Sequence, residues 1–467
     1  MFDRRDQGLI ATVIWGRTKT ASLAAVAASL LAMTPMSAVA AQTTTPNVAA
    51  VQNDVLLYRM KNGDNLYKLA QKYMVSLQVV PHIQKLNNIS NAHEVPVGSV
   101  IRIPLRFLKY RPEVARLVAW RGTVAIGQSA TNAAAPTAGM ALQEGMAIAT
   151  GQGGFVTLQL ANGSRVSIPS QSIVRIARLR EYTINKALDY ELAVDKGRLE
   201  TKATPLKNPA SRYRIRTPIA VSAVRGTEFR IKLEDEAKPS LTEVLEGTVA
   251  VNAPKKPSEE TAVAQGTGLG LRTDGSSAIE KLLPAPELVS PGKVQKDDTL
   301  SFVIQPIAGA ARYQAVFATD ASITDPFAEA SSDTPTITHP AIPNGKYFVR
   351  ISALSPNGFE GYATNYGFAR RLSKVSAAAA APADDGSVTF KWDAGGEGKI
   401  VHRFQLYRDT VQSTPVIDEA GLTKSEIKLD TLPPGVWFWR VGISVYGDGA
   451  VTDNWTSPEK LIIAREE

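Results

Sequence analysis

The spacing of hydrophobic positions divides this chain into unlike stretches. In residues 54–110, Leu66, Leu69, Ala70 and Tyr73 fall on one face of a short helix. Residues 79–86 predict a second helix, ended by Asn87 and Asn88. A strand beginning near Tyr58 runs into a Gly63-Asp64 turn, and Asp64 is the predicted N-cap of the first helix. Val97-Gly98 turns the chain into a closing strand over residues 100–104. The order is strand, helix, helix, strand.

From residue 116 to 271 the period becomes two. Val156, Leu158 and Leu160 alternate, Asn162-Gly163 turns the chain, and Val166 and Ile168 alternate again. This predicts a hairpin with a two-residue type I′ turn. Alternation continues through Leu192 and Val194, a predicted Asp195-Lys196-Gly197 turn, then Tyr213/Ile215, Phe229/Ile231 and Val249/Val251. One apolar face per strand implies sheet packed on sheet, or a solenoid-like coil. Residues 127–139 and 253–261 read as loops.

The remainder, residues 284–467, repeats itself. Residues 342–351 (IPNGKYFVRI) align without gaps to residues 432–441 (LPPGVWFWRV), ninety positions later. Upstream, Arg312-Tyr313-Gln314 and Phe317 parallel Arg403-Phe404-Gln405 and Tyr407 with a one-residue slip. Short strands at this period predict two successive β-sandwiches, 284–372 and 387–467, joined by an alanine-rich linker at 373–386. The expected fold class is therefore mainly β and multidomain.

The beginning of the chain carries an address. Arg17 and Lys19 precede an uncharged run over residues 21–33, then Pro35 and the small-residue site Ala38-Val39-Ala40. Residues 1–40 thus read as a secretory signal, cut before Ala41, with 41–53 a flexible leader. The run is too short to cross a bilayer as a helix. The expectation is an exported protein, periplasmic or outer-envelope associated or secreted, with no transmembrane span after signal removal. The whole chain has 467 residues, 44% hydrophobic and 21% charged, and a net charge of +8. That balance fits folded domains and does not suggest nucleic-acid binding. No cysteine is present, which excludes disulfides, thiolate metal sites and a cysteine nucleophile.

Residues 54–110 resemble the LysM family of carbohydrate-binding modules. The resemblance rests on Tyr58, Gly63-Asp64-Asn65-Leu66, Leu69-Ala70, Tyr73, Leu86-Asn87-Asn88, Pro96-Val97-Gly98 and Ile101-Arg102-Ile103-Pro104. It implies a groove between two loops that binds peptidoglycan or another N-acetylglucosamine-containing glycan. By position, Gly63, Asp64, Asn65 and Leu66 would line one side, and Asn88, Ile89 and Ser90 the other. Asn65 stands where the family usually has Thr.

Residues 116–271 resemble the FecR domain, through Arg121-Gly122-Thr123-Val124, Leu160-Ala161-Asn162-Gly163-Ser164, Arg225-Gly226-Thr227-Glu228-Phe229 and Leu245-Glu246-Gly247-Thr248-Val249. The family's regulators carry an anti-sigma segment and a membrane span before the domain, which this sequence lacks. The resemblance implies a β module contacting an envelope protein partner, as a structural unit or as a periplasmic signalling component facing an outer-membrane protein. Arg212, Arg214 and Arg216 alternate on one strand. They form either a solvated strand face, or charges that blunt a sheet edge, or a docking row for an acidic partner or an anionic glycan.

The repeats resemble fibronectin type III or similar immunoglobulin-like sandwiches, by Tyr347, Val349, Ile351 and Asn357-Gly358. Trp437 and Trp439 are expected inside, with Tyr446 and Trp455 better placed for the surface. The four histidines, His82, His93, His339 and His402, have no metal-ligand spacing, and no nucleophile elbow, phosphate loop or dinucleotide fingerprint occurs. The expectation is a non-catalytic envelope protein without cofactor or metal, a glycan hydrolase being the weaker alternative.

Overall fold

The computed structural model describes residues 54–128, 133–412, 414–447 and 449–464. The expected signal peptide and leader lie outside the described residues. What is described is mainly β, in several sheets, with one small helical region.

That region begins with β1 (Val55–Arg59), which pairs antiparallel with β2 (Val100–Pro104). Between them stand α1 (Leu66–Tyr73) and α2 (Val80–Asn87). Leu66, Leu69 and Ala70 bury the inner face of α1 against Val80 and Ile83 of α2 and Ile101 and Ile103 of β2. A single 3₁₀ turn, Leu77–Val79, is capped by Ser76 and feeds α2, whose first turn accommodates Pro81. The core is completed by Tyr182, Ile184 and Ala210 from the next unit.

The central unit is a flattened, two-walled barrel. One wall runs Val124–Gly127, Ala147–Thr150, Ile173–Tyr182, Leu188–Lys202, Arg212–Arg216, Val221–Val224, Thr248–Asn252, Glu260–Ala264. The other runs Ala115–Arg121, Phe155–Leu160, Arg165–Ile168, Leu188–Lys202, Glu228–Leu233, Ser240–Glu246, Thr267–Leu271, Ser277–Lys281. The chain crosses repeatedly from wall to wall, and the alternating apolar residues meet between them in one core. Of the two arrangements that the alternation allows, this is sheet packed on sheet, closed into a barrel, and not a solenoid-like coil. It takes in strands on either side of residues 116–271.

The strand Leu188–Lys202 belongs to both walls, which corrects one predicted turn. Asp195, Lys196 and Gly197 do not reverse the chain. They form a corner at which the strand leaves Ile173–Tyr182 and joins Glu228–Leu233. Gly197 has φ +88°, and a Cβ there would come within 2.4 Å of the Ser172 hydroxyl. Only glycine fits this bend. The hairpin around Asn162-Gly163 forms with Leu158 opposite Val166, one residue away from the register that a two-residue turn would give. Its turn differs from the expected one. Gly163 has positive φ and Asn162 does not, and Leu160 N–H bonds Ser164 O across the loop. This is a three-residue loop ending in a left-handed glycine rather than a type I′ turn.

Beyond it lie two sandwiches. The first sets a four-stranded sheet, built on Arg312–Ala318 and Gly345–Leu354, against the pair Thr299–Val303 and Thr336–Pro340. The second sets Ser373–Pro382, Val388–Gly396 and Glu426–Leu429 against a sheet built on Lys399–Arg408 and Gly435–Gly447. The repeat is real in both: Val349 and Ile351 are fully buried, as are Trp439 and Val441 to within 2%. Trp437 is buried and Trp455 partly exposed, as their positions imply.

Two expectations need correction here. Residues 373–386 are not a linker, because Ser373–Pro382 pairs along its length with Val388–Gly396. Alanine is a poor signal for a strand, so its pairing was invisible in composition. The upstream strands also align differently from the one-residue slip: Ala315 pairs with Ile351 and Phe404 with Val441, so alanine in one copy replaces phenylalanine in the other.

Candidate functional site

The βααβ module presents two loops at the ends of its helices. Asn65, not Asp64, caps α1: its Oδ1 accepts the Lys68 N–H at 2.8 Å. Asparagine caps a helix as well as threonine, which accounts for its presence here. Asp64 instead closes the turn before it, accepting the Lys61 N–H at 2.9 Å and the Tyr58 hydroxyl at 2.8 Å. Burial, with this carboxylate, pushes the Tyr58 phenol up to about 12. Gly63, at φ +82°, tops the turn, and its carbonyl accepts from the Lys68 Nζ at 3.0 Å.

The second loop starts where α2 ends. Asn88 takes the left-handed conformation, φ +53°, and Ile89 N–H reaches back to Gln84 O at 3.0 Å. Asn87 pins this end to β2, its side chain bonding both the N–H and the carbonyl of Arg102. Asn88 and Ser90 are exposed and Ile89 is half-buried against the core. The loops are tied together by one backbone bond, Leu66 N–H to Ala92 O at 3.0 Å. Asn65, Gly63, Asn88 and Ser90 therefore offer neutral polar groups around a shared edge. Leu66 does not join them. Its side chain is fully buried, because the helix phase that buries Leu69 and Ala70 also turns it inward.

One pair in this region was not legible in the sequence. Tyr67 and His93 stack, with ring centroids 4.6 Å apart and planes at 28°.

Residues 58–104 match the model of the LysM domain, and residues 146–250 match that of the FecR protein. The chain carries a LysM module and a FecR domain. No curated protein is a significant match. Among solved structures, one described as an anti-sigma factor from Parabacteroides distasonis is 18% identical, with a TM-score of 0.24. It covers 29% of this chain, which spans 59% of that structure. A two-domain fibronectin type III segment of chicken tenascin is 17% identical, covering 40% of this chain and all of its own, with a TM-score of 0.21. Fibronectin(III)-like modules of Clostridium thermocellum CbhA are 11% identical, covering 38% of this chain and 94% of their own, at 0.17. The fold rests on the strand pairings, not on these distant likenesses. Among the described residues, no helix is long and apolar enough to cross a membrane.

The arginine row of the FecR domain has a partner already. Arg212, Arg214 and Arg216 share one face of their strand, while Tyr213 and Ile215 point into the core. That strand is not a sheet edge, for it lies between Leu188–Lys202 and Val221–Val224. Arg214 meets Glu191 at 2.9 Å and Asp189 at 3.4 Å, and Arg216 meets Glu191 at 3.2 Å. Asp54, where the described chain enters the LysM module, lies 3.6 Å from Arg212, 3.5 Å from Arg214 and 3.1 Å from Arg178. The row expected to be solvated, or open to an anionic partner, is engaged by the chain's own carboxylates. Arg214, Asp189 and Glu191 are buried, and buried charges persist in a fold only when paired. Burial opposes ionisation of Asp54, but Arg178, Arg214 and Arg212 outweigh it and hold its carboxyl below the ordinary value.

A second set of ions joins the FecR domain to the first sandwich. Arg350 binds Glu200 through two bonds of 2.8 Å, and Arg198 binds Glu329 at 2.6 Å. Arg230 lies between Glu243, at 3.0 Å, and Glu360, at 2.5 Å, and donates to the carbonyls of Glu360 and Gly361. Beside them Phe359 packs on Leu241 and Leu282. A cleft of about 750 Å³ opens at this junction, lined by the same ion pairs. Burial pushes the Glu243 carboxyl up to about 7, against the pull of Arg230 and with the charge of Glu360 adding to it.

Proposed function

We propose that this is a non-catalytic envelope protein that holds peptidoglycan, or a similar N-acetylglucosamine-containing glycan, in the groove of its LysM module. The reading is supported chiefly by the two loops around the Leu66–Ala92 bond, which present Gly63, Asn88 and Ser90 to solvent beside the half-buried Asn65. Neutral amides, hydroxyls and backbone groups are the partners that N-acetyl and hydroxyl groups use. Asp64 contributes by fixing the first loop and Ile89 by seating the second. The FecR domain and sandwiches then act as the body that the module anchors, with faces available to envelope proteins. The ion pairs described above favour a body that moves with its anchor.

A single module has no avidity from neighbouring copies, so modest affinity is expected. The full chain should cosediment with purified sacculi, and Ser90→Tyr, which fills the groove from an exposed position, should abolish this. A wild-type chain that remains in the supernatant would overturn the proposal. Release of soluble fragments from the sacculi would replace it with a hydrolase.

A further inference from the structure

A groove for a sugar needs an apolar wall as well as polar partners, because a pyranose ring presents an apolar face of C–H bonds. Leu66 cannot supply that wall, being fully buried. The next residue can. Tyr67 is 38% exposed and its ring lies on that of His93, itself exposed, three positions beyond Ser90. The two rings directly follow the two residues that are bonded through their backbones, Leu66 and Ala92. Their stacking is therefore held by the loops themselves and not only by flexible side chains. His93 is further fixed by its N–H, which donates to Asn91 Oδ1 at 2.9 Å. An aromatic surface held in place in this way is suited to the apolar face of a sugar ring.

We propose that the stacked Tyr67–His93 pair is an aromatic subsite that receives the apolar face of one N-acetylhexosamine unit. It rests on the glycan-binding reading above and extends the groove beyond the loop residues. Tyr67 makes the contact and His93 supports its ring.

The test uses the full chain and the N-acetylglucosamine tetramer, followed by calorimetry and by proton NMR of the sugar. Tyr67→Ala should weaken binding about 3- to 10-fold, the range of one aromatic stacking contact. Tyr67→Phe should stay within about 2-fold of wild type, because the ring and not the hydroxyl carries the contact. Pyranose C–H resonances should move upfield with wild type and Tyr67→Phe, and not with Tyr67→Ala. Unchanged affinity and unchanged sugar shifts for a folded Tyr67→Ala would overturn the subsite while leaving the groove intact. A wild-type chain that binds no tetramer and no sacculi would remove the groove, and the subsite with it.

Discussion

The carboxylate of Asp54 receives two hydrogen bonds from the guanidinium of Arg178, at 3.1 and 3.3 Å, across 124 positions of sequence. Through this contact the first strand of the LysM module is fastened to the wall of the FecR domain. Arg212 reinforces it by donating to the carbonyl of Val55 at 3.2 Å. A module so fastened transmits position, and any load, to the body behind it.

Asp54→Asn should loosen that junction. The carboxylate is half-exposed, so the loss should be modest, about 0.5–1 kcal/mol. Limited proteolysis should cut the segment between residues 105 and 112 faster than in wild type, with the sandwiches unaffected. Equal cleavage rates would show that the packing of Tyr182, Ile184 and Ala210 and the Arg212 bond to the Val55 carbonyl hold the module without the Asp54 carboxylate.

Asn65→Ala should cost α1 about 1 kcal/mol by removing its cap, and Asn65→Thr should restore most of it. The Lys68 amide is the reporter, because its bond to Asn65 is lost; its hydrogen exchange should quicken about 5-fold.

Gly197→Ala should be far more damaging than an ordinary turn substitution. It forces a left-handed alanine and drives its Cβ into Ser172. The expected loss is about 2–5 kcal/mol in urea denaturation. Gly275→Ala is the control, having φ +87° with nothing within 4 Å of its Cβ, and should lose only about 1 kcal/mol.

Glu243 should make the FecR–sandwich junction pH-dependent. Its carboxyl is raised in the fold to about 7, so the folded protein binds more protons than the unfolded chain between the ordinary glutamate value and 7. Its contribution is thus complete below the unfolded value and is lost as pH rises through about 7. Glu200 works in the opposite sense: burial opposes its ionisation, Arg350 outweighs this, and its contribution is lost as pH falls. Between pH 5 and 8 the melting temperature of wild type should fall relative to Glu243→Gln by about 2–4 °C. Parallel curves for the two proteins would refute this.

Much of the candidate site could be read locally. The faces of α1 and α2, the closing strand and the end of α2 at Asn87-Asn88 follow from residues within a few positions of one another. The cap predicted at Asp64 is supplied by Asn65, since either side chain can cap and only the turn geometry selects between them. Leu66 was misplaced for a related reason, as a motif position does not say on which side of the helix the groove lies. Tyr67 and His93 gave no signal, being 26 positions apart and unremarkable singly.

What the sequence alone determined was periodicity and order: a βααβ unit, a long alternating stretch and a ninety-residue repeat. Those follow from interactions between close neighbours along the chain, where backbone preference and side-chain spacing are sufficient. Tertiary structure decided which strands share a wall, that residues 373–382 are a strand, and which carboxylate answers each arginine. Such choices depend on which distant segments come together, and burial makes pairing obligatory only once they have done so.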